Sequence, residues 1–354
     1  MFYLRVKKLP KDKIYHKYVK EDESIKEEIF PFTVKGISDK AVLRDYPNPS
    51  LTLKGFITKK NYFIYINEKI DENIFQNEIS VKDDVFFTIL AYPELNYKKE
   101  LIPFVIFDIE VYSETVFPKP ENPQFPIVTI SAYYSLTDKV YVFGYKPFEK
   151  EVDWFKYIQC EDEIDMLQKF IKFLIKTKCS ILTGWYIDNY DIPYIEGRLR
   201  VLGMGEWLRL FRFGSKKLYN AYKNVDFFPT TYYGFAVIDY IKLYKKFKLE
   251  KLPSYALDYV ANYELQEGKL DYSEYDSLKN LYKENYDLFV EYNAKDTLLV
   301  KKLDEKVKFL DLIMFMTYSA RAQFEDSVGV ISRWEKRIQN YLFQHFREVV
   351  ECKK

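Results

Sequence analysis

The sequence predicts an α/β fold, a mixed β-sheet flanked by helices, preceded by an α+β N-terminal domain. Three observations carry this. LIPFVIFDIEV (101–111) is a nearly unbroken apolar run of the kind found in a buried strand. IVTISAYYSL (127–136) and KVYVFGY (139–145) follow as the next two strands of an antiparallel meander. EDEIDMLQKFIKFLIKTKCS (161–180) then sets Ile164, Leu167, Phe170, Ile171 and Leu174 at helical spacing, with acids in its first turn. Strands followed by helix, strand and helix make a sheet with helices packed against it.

Along the chain, residues 1–101 read as short strands and charged turns. Within them SLTLKGFITKKNYFIYINEKI (50–70) alternates like a hairpin. The pattern changes at 102, which opens the domain 102–310. There FPKPENPQFP (117–126) is a loop punctuated by proline, and SILTGWY (180–186) is the strand after the helix. From about 305 the chain is helical again, through LDLIMFMTYSARAQ and ISRWEKRIQNYLFQHFREVV, and 311–354 forms a last helical segment.

Composition narrows the function classes. With 48% hydrophobic and 30% charged residues the chain is expected to fold as a soluble protein. Its net charge of +1 gives no global basic field, so a nucleic acid would need a local groove or metal ions to offset its phosphates. The three cysteines, Cys160, Cys179 and Cys352, have neither metal-site spacing nor disulfide-scaffold density, which reads as a reducing, intracellular setting. The N-terminus is too charged for a secretory signal, and no apolar run approaches membrane-spanning length, so no membrane role is expected. The two histidines, His16 and His345, stand far in sequence from the acids described next. Any catalytic metal is therefore expected to be bound by oxygen, which favours Mg²⁺ or Mn²⁺ over zinc.

Asp108 and Glu110 are two apart on one strand and share a face, while Val105, Phe107 and Ile109 point the other way into a core. Two carboxylates on one face of a buried strand repel each other and lose hydration, so they call for a cation unless the strand end reaches solvent. Asp191, in TGWYIDNYDIPYIEGRLR (183–200), follows Tyr190 at a strand-to-helix junction; alone it reads equally as a helix N-cap. Asp188 reads as a solvated loop residue. Tyr292 and Asp296, in LFVEYNAKDTLLVKKL (288–303), are i and i+4 and stack on one helix face, where a phenol beside a carboxylate can position a water. Viewed alone, that helix is simply amphipathic.

Taken together, D-x-E, aromatic-Asp and Y-x-x-x-D in this order resemble the 3′→5′ proofreading exonuclease of B-family DNA polymerases. VIDYIKLYKKF (237–247), LPSYALDYVANYELQEGKLDY (252–272) and MTYSARAQFEDSVGVISRWEKRI (316–338) add to the likeness, nearest to the T-even-phage type. It covers roughly residues 103–340; the first hundred residues fit the family's N-terminal domain through EIFPFTV (28–34) alone. The resemblance implies a ribonuclease H-like exonuclease domain and two-metal phosphodiester hydrolysis yielding 5′-mononucleotides. Asp108 would bridge two Mg²⁺ or Mn²⁺ ions, with Glu110 and Asp296 completing one and Asp191 serving the other. Tyr292 would orient the water, being too weak a base to do more. One position departs from the pattern: the family's second motif opens with asparagine, and here that residue is Tyr186.

The single strand is expected to meet Tyr186, Asn189 and Tyr190, and also Lys216, Lys217 and Tyr222 in GSKKLYNAYKNVDFFPTTYYGF (214–235), where lysines alternate with aromatics. The resemblance places a strand-separating β-hairpin there; an ordinary hairpin with an aromatic ladder fits the same residues. Asp239 is expected to serve as a structural hydrogen-bonding group, and Lys245, Lys246, Lys248 and Lys251 as solvated surface. The palm motifs D-x-x-S-L-Y-P and Y-G-D-T-D are not in the sequence, so primer extension by this chain alone is not expected. The resemblance therefore implies that 311–354 returns to the N-terminal domain and leads toward an absent palm, and that the chain is an excised portion or one half of a split polymerase. Expected partners are primer-template DNA, a palm-bearing polypeptide and a sliding clamp, in the cytoplasm (a host's, if the source is viral). Two other readings share these residues: a non-catalytic scaffold that binds template strand and a palm-bearing partner, its exonuclease weakened by the Tyr186 change, and a free-standing repair or RNA-directed nuclease of the same fold.

Overall fold

The computed structural model describes residues 1–9, 13–31, 96–227 and 229–346, with short stretches between 34 and 66 and the single residues 88 and 92. The chain divides into two compact units, Met1–Lys99 with Ile313–Lys354, and Glu100–Leu312.

In the first unit, β1 (Phe2–Leu9), β2 (Lys13–Val19) and β3 (Ile25–Pro31) form an antiparallel meander. The segment from 313 packs on it: the Tyr318 hydroxyl donates to the Tyr3 carbonyl at 2.8 Å, and the Tyr3 hydroxyl donates to the Ala322 carbonyl at 2.9 Å. Buried Arg5 pairs with Glu325. Of the hairpin expected over 50–70, Phe56–Ile57 and Tyr62–Ile66 pair antiparallel; the residues joining them lie outside the described residues.

The second unit is built on a six-stranded mixed sheet. In chain order its strands are β4 (Phe104–Val111), β5 (Ile127–Tyr134), β6 (Lys139–Gly144), β7 (Phe155–Gln159), β8 (Ile181–Gly184) and β9 (Ala236–Asp239). Across the sheet the order is β7-β6-β5-β4-β8-β9, with β4, β5 and β6 antiparallel and the outer pairings parallel. The fold class is thus as expected: a mixed sheet flanked by helices.

One face carries the larger core. Val105, Phe107 and Ile109 of β4 are buried there with Met166, Leu167, Phe170, Ile171 and Leu174 of α1 (Glu163–Lys176). Helix α1 starts where Asp162 accepts the Asp165 N–H at 2.8 Å. Ile164, expected on the buried stripe, is instead exposed; the inward position of that first turn belongs to Glu163, whose charge is held by buried Arg198 of α2 (Asp191–Val201). The long helix α8 (Tyr286–Val307) lies across β4, β5 and β6 on the opposite face. Ser131 of β5 anchors it by donating to the Asn293 carbonyl at 2.9 Å.

Between these come α3 (Gly205–Phe213), α4 (Lys216–Tyr222), α5 (Tyr240–Phe247), α6 (Leu257–Leu265) and α7 (Leu278–Glu284). After α8 follow α9 (Phe309–Ala320), α10 (Phe324–Val328) and α11 (Val330–Phe346). No helix among the described residues is long and apolar enough to cross a membrane.

The stretch 214–235 corrects the sequence reading. Among its described residues there is a helix, α4, followed by turns, and no hairpin. The cause is local: Leu218 and Tyr222 are i and i+4, and both are buried. The aromatics form an internal cluster instead of a cross-strand ladder, with Tyr222 stacked on Phe213 and edge-on to Phe227. Arg209 secures the following turn through the carbonyls of Tyr222, Val225 and Phe227. Tyr222 is therefore unavailable to stack on a base as drawn from the sequence, whereas Lys216 and Lys217 are exposed.

Candidate active site

Three elements converge at the end of β4. Asp108 and Glu110 project toward α8, which presents Tyr292, Asn293 and Asp296. Carboxylate oxygens of Asp108, Glu110 and Asp296 lie within 4.8 Å of one another. Asn293 donates to Asp108 Oδ2 at 2.7 Å. Asp191 opens α2 and is buried; its Oδ1 accepts the Ile109 N–H at 3.1 Å, between the two β4 acids. The N-cap position falls to Tyr190, so the Asp191 carboxylate binds the neighbouring strand rather than capping its helix. This junction depends on the end of β8 approaching β4 closely. A Cβ at Gly184 would stand 2.3 Å from the Phe107 carbonyl oxygen, a separation no side chain tolerates.

Lys269 brings an ammonium into direct contact with the cluster, a role the sequence reading did not assign to it. It is ion-paired with Asp296 and donates to the Tyr292 hydroxyl at 2.9 Å. Burial works against its ammonium, but Asp296, Tyr292 and Asp108 outweigh that and hold its pKa above the ordinary range. Burial likewise pushes Tyr292 up, with Asp296 and Glu110 adding to the rise. Its phenol therefore stays neutral, able to orient a water but not to deprotonate one.

The acids respond to the same shortage of positive charge. Burial, then Asp191, Glu110 and Asp296, raise Asp108 well above the carboxylate range. Burial and Asp296 push Glu110 up to about 8. Burial lifts Asp191 to about 7 against the Ile109 hydrogen bond, and lifts Asp296 against Lys269. Asp296 Oδ1 and Asn293 Oδ1 are buried with no hydrogen-bond partner. Clustered carboxylates with a spare buried oxygen, and with no imidazole or thiolate beside them among the described residues, suit a hard divalent cation, so Asp108, Glu110 and Asp296 could hold one.

A linkage prediction follows. The folded acids keep protons that the unfolded chain, near its ordinary values of 3.8 and 4.5, would release. Below those values the acids leave stability unchanged. As pH rises from about 4 through about 8 the metal-free protein should lose stability. Mg²⁺ should raise Tm more at about pH 8 than at about pH 5, because its ligands must be deprotonated. Equal gains at both pH values in a thermal melt would contradict this charge balance.

The remaining sequence-nominated residues surround the acids. Tyr190 is half-buried, stacks on Tyr194 and lies 6.0 Å from the ring of exposed Phe117. Both line a cleft of about 370 Å³ that includes Glu110. Asn189 is exposed on the turn before α2. Tyr186 is exposed and has φ of +70°. Asp239 accepts the N–H groups of Tyr186, Asp188 and Ile241, the structural task expected of it. Asp188 pairs with Lys242. In the lysine run, Lys248 pairs with Glu264 and Lys245 lies over the Tyr255 ring.

Comparison with known proteins agrees with this geometry. Residues 48–260 match the family model for DNA polymerase family B, exonuclease domain. The chain is 31% identical over 278 residues to the DNA-directed DNA polymerase of Escherichia phage RB69, covering 70% of this chain and 30% of that protein. Identity to the DNA-directed DNA polymerase of Enterobacteria phage T4 is 28% over the same shares. It is 26% to the DNA polymerase delta catalytic subunit of Plasmodium falciparum, over 76% of this chain and 26% of that one. The chain thus spans less than a third of the length of these relatives. It belongs to DNA polymerase family B, whose exonuclease domain it carries.

Proposed function

We propose that this chain is a metal-dependent 3′→5′ exonuclease acting on single-stranded DNA ends, the proofreading part of a family-B polymerase. The observation that carries this is the convergence of Asp108, Glu110 and Asp296 within 4.8 Å, with Asp191 against the same strand. Asp108, Glu110 and Asp296 would hold one divalent ion, Mg²⁺ or Mn²⁺, with Asp108 and Asp191 serving a second. Bound there, the ions supply water activation and charge for the leaving 3′-oxygen.

The protein's own groups do the positioning. Neutral Tyr292, fixed by Lys269, orients the attacking water at its hydroxyl. The Lys269 ammonium, 30% exposed on its side chain, faces the charge that builds on the phosphoryl oxygens. Asn293 keeps the Asp108 carboxylate in one orientation. Phe117 and Tyr190 offer apolar faces to the terminal base beside Glu110. The products are 5′-mononucleotides. The proposed partners are primer-template DNA, a palm-bearing polypeptide and a sliding clamp, in an intracellular setting; Lys216 and Lys217 stay candidates for backbone contact.

The test is digestion of a 5′-labelled single-stranded DNA oligonucleotide, with an RNA counterpart beside it, in Mg²⁺, Mn²⁺ or EDTA. The expected result is a metal-dependent ladder shortening from the 3′ end, preferring DNA, and absent in Asp108→Ala/Glu110→Ala. DNA binding without cleavage by the wild type would favour the template-binding scaffold instead, and preference for RNA ends the RNA-directed nuclease.

A further inference from the structure

Tyr186 is held in a backbone conformation that its side chain disfavours. At φ of +70° its Cβ crowds the following carbonyl, and core packing does not compensate, because the residue is 49% exposed. The hold comes from hydrogen bonds. Asp239 accepts the Tyr186 N–H at 3.0 Å and the Asp188 N–H at 3.3 Å, while the Tyr186 carbonyl accepts from Asn189 and Tyr190 at 3.2 and 3.3 Å. These bonds fix the turn that runs into Asp191. The ring is thus presented on a rigid support, one turn ahead of an acid of the site. Lys242 pairs with Asp188 of the same turn at 2.6 Å. Asparagine would meet the left-handed conformation with less strain and offer only hydrogen bonds; tyrosine brings a π-face.

We propose that Tyr186 is a stacking platform for one of the last bases of the bound single strand, so that this chain grips DNA there by ring contact without reading sequence. The proposal rests on the reading of the cleft as a single-strand nuclease site. Its test is chosen to fail separately from that reading.

Oligonucleotides carrying 2-aminopurine at the 3′-terminal, second or third position are titrated in EDTA with wild type, Tyr186→Phe, Tyr186→Ala and Tyr186→Asn, each checked for folding by circular dichroism. Stacking quenches the probe. The wild type and Tyr186→Phe should quench at one of the three positions. Tyr186→Ala should lose that quench and bind roughly tenfold more weakly, and Tyr186→Asn should bind without quenching. In turnover the Tyr186→Ala loss should fall on KM, with kcat little changed. Position-specific quenching by wild type and Tyr186→Phe that Tyr186→Ala abolishes supports the platform even if no strand is cut, in which case the nuclease reading alone falls. Quenching by Tyr186→Ala equal to wild type, or no quenching by wild type at any position, overturns the platform whether or not the strand is cut.

Discussion

Asp108→Asn should lower the rate of single-strand digestion by roughly 10³-fold while raising the melting temperature of the metal-free protein. The first effect follows from position: Asp108 is the acid on which the others converge, its pKa raised by burial and then by Asp191, Glu110 and Asp296. Charge stabilisation by a bound divalent ion is worth several kcal/mol, and about 4 kcal/mol corresponds to 10³ in rate. The second effect has the same origin. An amide keeps the shape and can still accept from Asn293, yet it removes one enclosed carboxylate from a cluster in which Lys269 is ion-paired with Asp296 alone. The Mg²⁺-dependent gain in Tm should shrink with it. An Asp108 with a purely structural role would show the reverse: Tm would fall, and the Mg²⁺ response would remain. Melting curves with and without Mg²⁺, beside the digestion assay, separate the two.

That opposition between activity and stability also explains which parts of the site could be read from sequence. Asp108 and Glu110 were legible because a strand's period of two puts them on one face, and Tyr292 with Asp296 because a helix turn does the same. Each pair is local. Lys269 was not legible, since its partner Asp296 is 27 residues away and neither periodicity nor spacing links them. What pointed to it was the charge deficit itself: enclosed acids require cations, although the sequence does not say which lysine approaches. Asn293, 185 residues from Asp108, was hidden in the same way, inside a helix read only for its Tyr and Asp.

The fold shows a similar division. β4 and α1 follow from hydrophobic period, and the meander from alternation. The stretch 214–235 was misread because its aromatic content favours strand, whereas the i, i+4 pair of Leu218 and Tyr222 and the turn bound by Arg209 favour helix. Tertiary burial decided between them. Ile164 shows that period fixes a helix face but not how far a first turn reaches under the sheet.

Arg198→Met should destabilise the exonuclease unit by about 3–5 kcal/mol, the largest stability effect expected of a side chain outside the acid cluster. Arg198 and Glu163 are both buried and meet twice, Nε to Oε1 at 2.8 Å and Nη2 to Oε2 at 2.5 Å. The guanidinium also donates to the carbonyls of Pro123 and Gln124, and Glu163 Oε1 accepts the Ile127 N–H. One ion pair thus ties together α1, α2, the proline-rich loop and the start of β5. Removing the arginine leaves a carboxylate buried among apolar residues with a single backbone donor, and leaves two carbonyls short of partners. For a unit of this size the loss corresponds to a fall in Tm of about 10 °C. Arg198→Met/Glu163→Leu should recover part of it, because the double change leaves no unpaired charge. If thermal melts show the double variant falling as far as the sum of the two single variants, the two residues do not act as a pair. Activity should fall with the single change as well, since α2 carries Asp191 at its first turn and Arg198 is what fixes that helix against α1.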